Sequence, residues 1–411
     1  MIIQQGGEKM KNLRKMPLAI TALLFVSLVF MYANITEACT GMVASGFCCR
    51  DNESVMVYKS RDSSAWEQNI FLIEANSVFG DNQIAKYKFL GTQTISDLIM
   101  YGNAGIIRSG INEKGVSTTT LAGYSWDCGN KKDVDSRLRS LVLANAADAL
   151  GAIKHHGEIV KDGYYYGTSC GTHYYYGDPN EFWYRSDSGH AWASAGPFRH
   201  GYFSSSNFYR IPEMLKYQRG SGSGQNRAAK FDEYMYPIEG DITIEDIFKA
   251  ARDPVISRGS TVSGTLFIGA KEYTDLLSVG WIAMGPVDAA PFVPYYIGIT
   301  QIPTAYEDGT ACTDYFFPIR WLTNAHPEYK DPVISIWEEF ESKEMREAKE
   351  LEKRVATLAD AQQKEEAQNL LTEFVEFKAQ VALDLAQMII DYINAGEPPE
   401  LLKPTLQGSI K

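Results

Sequence analysis

From Thr40 onward the chain alternates short apolar runs with polar breaks. Thr40–Ser45, Ser54–Lys59 and Ile70–Glu74 each have the length and residue types of a strand. Residues 106–121 read as a hairpin: Gly105-Ile-Ile-Arg-Ser-Gly-Ile, a turn over Asn112–Gly115, then Val116-Ser-Thr-Thr-Thr-Leu. The period changes over Asp133–His156. There Leu138, Leu141, Val142, Ala147, Leu150 and Ile153 recur mostly at three- and four-residue steps, which predicts an amphipathic helix. Strand patterns return around His173–Tyr176, Glu181–Arg185, His190–Ala195 and His200–Ser205. Arg219–Gln225, Gly- and Ser-rich, reads as a flexible loop. A short helix follows at Thr243–Arg252, with Thr243 as cap and Asp246 in the third position. Further strand patterns are Thr261–Gly269, Leu276–Met284 and Tyr295–Ile302. Pro332–Ala395 is rich in Glu, Lys, Ala and Leu and lacks Gly until Gly396, predicting two long helices with a charged outer side.

Strands and helices do not alternate one for one, as a parallel βαβ fold demands. The pattern fits two antiparallel sheets stacked face to face with helices outside, an α+β layered architecture. No internal repeat is present. No phosphate-binding glycine motif opens a helix, and Gly220–Gly224 sits in a polar loop with no nucleotide role.

The first residues have a different character. Lys9, Lys11, Arg14 and Lys15 precede an apolar run from Met16 to Ala33, and a short polar stretch ends at Thr36-Glu37-Ala38. Basic, apolar, then small residues is the order of a secretory leader, and a cut after Ala38 would make Cys39 the first mature residue. Two other readings stay open. The apolar run approaches the ~20 residues that span a bilayer, so an uncleaved anchor is one. Lipidation of Cys39 is the other, though Thr36 and Glu37 are poor residues for that signal. The expected division is a signal peptide over 1–38, a main domain over 39–331 and a helical extension over 332–411 on the same domain. The location that follows is secreted or cell envelope, with membrane contact only through an uncleaved leader.

Composition narrows the partners. The 411 residues carry a formal net charge of −12, which argues against a nucleic-acid partner. Hydrophobic content of 45% and charged content of 22% are those of a globular protein. Cysteines stand at 39, 48, 49, 128, 170 and 312, none in a metal-type CxxC pair, so no metal or other cofactor is expected. Some of the five besides Cys39 are candidates for bridging in an exported protein, with at least one left free. The simplest role for Cys170 and Cys312 is that of small buried hydrophobes.

An N-terminal cysteine carries a nucleophile and a base on one residue. Its thiol is the most nucleophilic common side chain, and an α-amine titrates near pKa ~7.7–8.0. Such a site needs a group to hold the amine and donors for an oxyanion. Asp62, at the end of the second strand in Val57-Tyr-Lys-Ser-Arg-Asp62, is the candidate holder, because an antiparallel turn brings that end back to Cys39. Lys59 and Arg61 are cationic neighbours able to favour the thiolate; an ordinary charged strand end is the competing reading. Asn207, in Ser204–Arg210, has two N–H donors for an oxyanion or a substrate carbonyl, and a turn role competes. Arg258 is placed to pair with a substrate carboxylate or to be a solvated loop arginine. His173 and His190 are read as structural.

These residues resemble those of a known family. Ala38-Cys-Thr-Gly41 with Lys59-Ser-Arg-Asp62, Gly110-Ile-Asn-Glu-Lys-Gly-Val116, Gly189-His-Ala-Trp192, Ser206-Asn-Phe-Tyr-Arg-Ile211 and Pro291-Phe-Val-Pro-Tyr-Tyr-Ile-Gly-Ile-Thr300 follow one another as in the secreted dipeptidase (dipeptidase A) family. These are N-terminal-nucleophile cysteine hydrolases related to bile salt hydrolase and penicillin V acylase. The helical tail after Trp337 is similar to that of the dipeptidases. The resemblance implies a four-layer αββα fold with a C-terminal helical extension and amide hydrolysis through a thioester on Cys39. It also implies that Asp62 holds the amine and that Asn207 takes part in the site. One departure is clear: the family's start reads Arg-x-x-Asp, so Lys59 stands where arginine is expected and Arg61 is a possible substitute.

The resulting expectation is an exported cysteine hydrolase acting on dipeptides or small peptides. The alternatives are an N-acyl amide acylase of penicillin V or bile salt type, and a non-catalytic exported binding protein. The last would use the aromatic segment Tyr164–Tyr209 as a ligand groove and the charged tail to form a homo-oligomer.

Overall fold

The computed structural model describes residues 39–50, 54–80, 82–128, 135–161, 170–220 and 224–406. The expected leader, the Tyr164–Tyr166 end of the aromatic segment and the last five residues lie outside these.

The strands are β1 (Thr40–Ser45), β2 (Met56–Asp62), β3 (Gln68–Ile73), β4 (Val78–Phe79), β5 (Gln83–Ile84), β6 (Phe89–Thr94), β7 (Ser109–Asn112), β8 (Ser117–Ala122), β9 (Gly171–Gly177), β10 (Phe182–Ser188), β11 (Trp192–Phe198), β12 (Gly201–Ser205), β13 (Thr261–Ile268), β14 (Val279–Ala283) and β15 (Val293–Tyr296). One sheet has six strands in the order β12-β1-β2-β13-β14-β15. A second has seven, in the order β11-β10-β9-β8-β7-β6-β3. Every pairing in both is antiparallel.

The two sheets face each other through β1 and β2 on one side and β8 and β9 on the other. Between them lie Val43, Val57, Leu121, Tyr175 and Tyr184, all buried. Helices α1 (Ile95–Tyr101), α2 (Asp135–Asn145) and α3 (Ala149–Val160) come early in the chain, and α2 and α3 cover the outer face of the seven-stranded sheet. Next are α4 (Gln225–Met235), α5 (Ile244–Ala251), α6 (Thr274–Leu277), α7 (Thr304–Glu307) and α8 (Phe317–Ala325). The chain finishes with α9 (Lys330–Asp360), α10 (Lys364–Asn394) and α11 (Pro399–Leu406). Helix α4 lies on β1 and β12, while α9 and α10 lie on β15. Met42, Met56, Tyr58, Leu266 and Trp281 point outward into the large core that these helices close. The architecture is therefore α+β with four layers, αββα, plus long C-terminal helices. Both faces of β1 and β2 are covered, so all their residues are buried and neither strand shows a polar side.

Several elements differ from the pattern reading. The helix expected over Asp133–His156 is two helices, because Asp148 leaves the helical conformation and caps α3 through Gly151 N–H. Ala147 is accordingly exposed, and Leu150 is 38% exposed. The strand expected over Tyr295–Ile302 stops at Tyr296, where Ile297 N–H turns back to Ser278 O. The Thr243 cap forms with its reciprocal Asp246 bond. Cys170 is not a free core thiol: it is bonded to Cys128. Cys39, Cys48, Cys49 and Cys312 are free and buried. Tyr174, Tyr175, Tyr176, Tyr184 and Tyr209 are almost wholly buried, which makes that stretch of the aromatic segment core rather than an open groove. No helix among the described residues is long and apolar enough to cross a membrane.

Candidate active site

Strand β1 is paired on both edges. Against β2, Thr40 faces Ser60 and Gly41 faces Lys59. Against β12, Gly41 faces Ser205 and Met42 faces Ser204. Continuing these registers, one step past the last β2 pair and two past the last β12 pair, brings Cys39 level with Arg61 on one side and Asn207 on the other. Alternation along the strand puts Cys39 on the face of Gly41 and Val43, toward the second sheet, and its side chain belongs to that inner cluster. Cys39 is 5% exposed.

The backbone of Cys39 is held from the helix side. Its carbonyl accepts from Ser206 Oγ at 2.7 Å and from Arg227 Nη2 at 3.5 Å. The same guanidinium donates through Nη1 to Asp62 Oδ2 at 3.2 Å and through Nη2 to Asn207 Oδ1 at 2.6 Å. Nε and Nη2 also reach Ser206 Oγ, at 3.2 and 2.5 Å. One buried arginine thus joins the nucleophile candidate, the carboxylate and the amide. It sits in the first turn of α4, and Gly224 just before it has φ of +76°. A Cβ at Gly224 would lie 2.1 Å from Arg227 Nη2 and 2.2 Å from Ser206 Oγ, so only glycine fits.

Asp62 ends β2 with its carboxylate in the same buried cluster. Thr261, opposite it on β13, donates to Oδ1 at 2.6 Å. Burial pushes its carboxyl up to about 6, against the opposing effects of the Thr261 bond, Arg227, Arg258 and Lys59. Desolvation outweighs the favourable partners, so the ionised form is held at a cost. Asn207 donates through Nδ2 to Ala122 O at 2.7 Å, linking the β12 end to the end of β8 in the facing sheet.

Lys59 lies on the inner face with Cys39 and donates to Arg108 O at 3.3 Å. Burial lowers its ammonium to about 8, and Arg139, Arg61 and Arg108 push the same way, while the Cys39 thiol opposes them. The Arg61 guanidinium is engaged by Gln68 Oε1 and by Ser63 Oγ, the latter at 3.3 Å. The Cys39 thiol is among the groups whose charge bears on Lys59. Arg258 is exposed. Its backbone N–H donates to Thr261 Oγ1 at 2.8 Å and its carbonyl accepts from Arg320 at 2.7 Å, which sets it beside the Asp62 partner. His173 is buried against Ser186 Oγ at 3.0 Å, and burial lowers it to about 3. His190 is an exposed partner of Asp127 at 2.7 Å. No group of three or more His, Cys, Asp or Glu suited to a metal is gathered among the described residues.

Arg227 is the residue that sequence reasoning missed, because the Gly/Ser run before it concealed the start of α4. The signal was there: Arg227 and Phe231 are four apart on a face that also carries Ala228 and Met235, all buried. A charged residue on the apolar stripe of a helix requires a buried partner.

A thiol with a fixed backbone, a carboxylate beside it and an amide donor are the parts of an acyl-transfer site. No protein-family model matches the sequence, and neither does any curated protein. Among solved structures, penicillin V acylase from Agrobacterium tumefaciens is similar at 15% identity and a TM-score of 0.43, over 63% of this chain and 85% of that one. Two variants of conjugated bile acid hydrolase from Clostridium perfringens are similar at 13% identity and a TM-score of 0.38, over 59% of this chain and 88% of theirs.

Proposed function

We propose that this chain is an N-terminal-nucleophile cysteine hydrolase of the secreted dipeptidase type. In this reading a cut after Ala38 frees the α-amine of Cys39, and the mature protein cleaves amide bonds of dipeptides or small peptides outside the cytoplasm. The observation that carries the proposal is the convergence of Cys39, Asp62 and Asn207 on one buried guanidinium at the end of the central strands.

The chemistry follows from the residues. The Cys39 thiol gives its proton to its own α-amine, and the sulfur attacks the substrate carbonyl carbon. Asn207 donates to the oxygen as it becomes negative, and Asp62 holds the ammonium in place. Collapse breaks the C–N bond, and the ammonium returns its proton to the leaving nitrogen. The α-amine then takes a proton from water as the oxygen of water attacks the thioester. The C–S bond breaks, the acid leaves and the sulfur regains a proton. Lys59 supplies a nearby positive charge that favours the thiolate.

The test is a chain that begins at Cys39, assayed against a panel of dipeptides, penicillin V and conjugated bile salts. Dipeptide hydrolysis that Cys39→Ala abolishes in a folded protein supports the proposal. Hydrolysis by Cys39→Ala at the parent rate overturns it, and turnover of only the N-acyl substrates replaces the dipeptidase with an acylase. Intact mass and N-terminal sequencing of the protein recovered from its source decide between cleaved leader, anchor and lipid.

A further inference from the structure

We infer that Arg227 is the positioning residue of this site: it fixes which atom of Asn207 faces a reacting carbonyl and keeps a cation against Asp62. The inference rests on the reading of Cys39 as nucleophile and adds a residue to it.

A guanidinium has donors and no acceptor. The Asn207 atom 2.6 Å from Arg227 Nη2 is therefore the amide oxygen, and the amide nitrogen must point the other way. Ala122 O, an acceptor 2.7 Å from that nitrogen, enforces the same orientation from the opposite sheet. One N–H of Asn207 is committed to Ala122, and the second forms no hydrogen bond among the described residues. That N–H is the donor left for a substrate oxygen. Arg227 also bonds Ser206 Oγ, whose hydroxyl is held to the Cys39 carbonyl at 2.7 Å, so the nucleophile's backbone and the amide donor are fixed by one rigid fork.

The third arm of the fork is electrostatic. Arg227 is 1% exposed and its salt bridge to Asp62 is buried on both sides. The groups whose charge or hydrogen bonding bears on Asp62 are Thr261 from β13, Arg258 from the preceding loop, Lys59 from its own strand and Arg227 from α4. Of these, Arg227 makes the direct ion pair. Removing its charge makes ionised Asp62 harder to form, and a site that needs the carboxylate must then wait for a higher pH.

The experiment uses Arg227→Gln and Arg227→Lys in the chain beginning at Cys39, with kcat and KM for a dipeptide measured from pH 5 to 9. In Arg227→Gln the acid limb moves up by about one pH unit or more, and kcat falls about 10²-fold while KM changes little. In Arg227→Lys the limb stays in the parent's place because the charge is kept. Its kcat still falls, because one ammonium cannot span Asp62, Asn207 and Ser206 as the fork does. An acid limb unmoved in folded Arg227→Gln, or a parent kcat in Arg227→Lys, overturns the inference. If circular dichroism shows Arg227→Gln unfolded, Arg227→Lys decides alone. The two levels separate cleanly. Activity surviving in Cys39→Ala removes the nucleophile, whereas an inactive Cys39→Ala beside parent-like arginine variants removes only the role of Arg227.

Discussion

Replacing Asp62 by Asn takes one charge and almost no volume out of a buried cluster. Two opposing outcomes can be argued. Removing one partner of a buried ion pair costs about 3–5 kcal/mol, because the other charge is left buried without compensation. The pH dependence argues the other way, because Asp62 is 1% exposed and burial raises its carboxyl from 3.8 to about 6 in spite of Arg227 and Thr261. That rise corresponds to about 3 kcal/mol disfavouring the ionised fold. The folded chain holds this proton more tightly than the unfolded one. Stability therefore falls as pH rises from about 4 to about 6, and the loss is complete above that window. Asp62→Asn lacks the step. Relative to the parent, the variant should gain about 3 kcal/mol between pH 4 and pH 7 while losing hydrolysis by about 10²-fold or more. Urea unfolding of both proteins at pH 4, 5, 6 and 7 measures the gain. Taking the difference between them cancels other carboxyls such as Glu344, which burial raises to about 7. A difference that stays flat across the window, or a variant less stable than the parent by several kcal/mol at pH 7, refutes the reasoning.

Two further outcomes are expected. Lys59 loses its proton near pH 8 because it is buried, so the parent's rate should fall above about pH 8. Lys59→Arg should extend the active range upward, and a pH–rate profile in which the two alkaline limbs coincide would exclude Lys59 as the helping cation. Cys128→Ser opens a link between residues separated by 42 positions and should lower stability by about 4 kcal/mol. Urea unfolding with and without reductant checks this: reductant should weaken the parent to the level of the variant and leave the variant unchanged.

Much of the fold was legible because its signals are local. β1 spans the predicted Thr40–Ser45, and the Thr243–Asp246 cap forms where that motif stands. The two long C-terminal helices follow from the run of strong helix formers without glycine. The errors arose where one residue's local chemistry overrode a periodic pattern. Asp148 split a helix by capping, and the Gly/Ser stretch before Gln225 hid α4 altogether. The geometry of the candidate site was legible in part. Cys39 and Asp62 lie on neighbouring strands, and register arithmetic brings them together. Arg227 comes from a helix far along the chain, and no spacing rule ties residue 227 to residue 39. The choice between Lys59 and Arg61 was equally unreadable, because both face the same way along β2. The side-chain partners differ: Arg61 donates to Gln68 and Ser63, and Lys59 to Arg108 O.

The close approach at Gly224 carries a lesson about mutational tolerance. This position has no functional group of its own, yet a single added methyl would displace both Arg227 and Ser206. Damage of that kind would look like an active-site lesion while every chemically active side chain remained intact. A change to alanine there would strain a backbone held at φ of +76° and push the ends of both side chains aside, so that position 224 belongs with the candidate site although it carries no reactive atom.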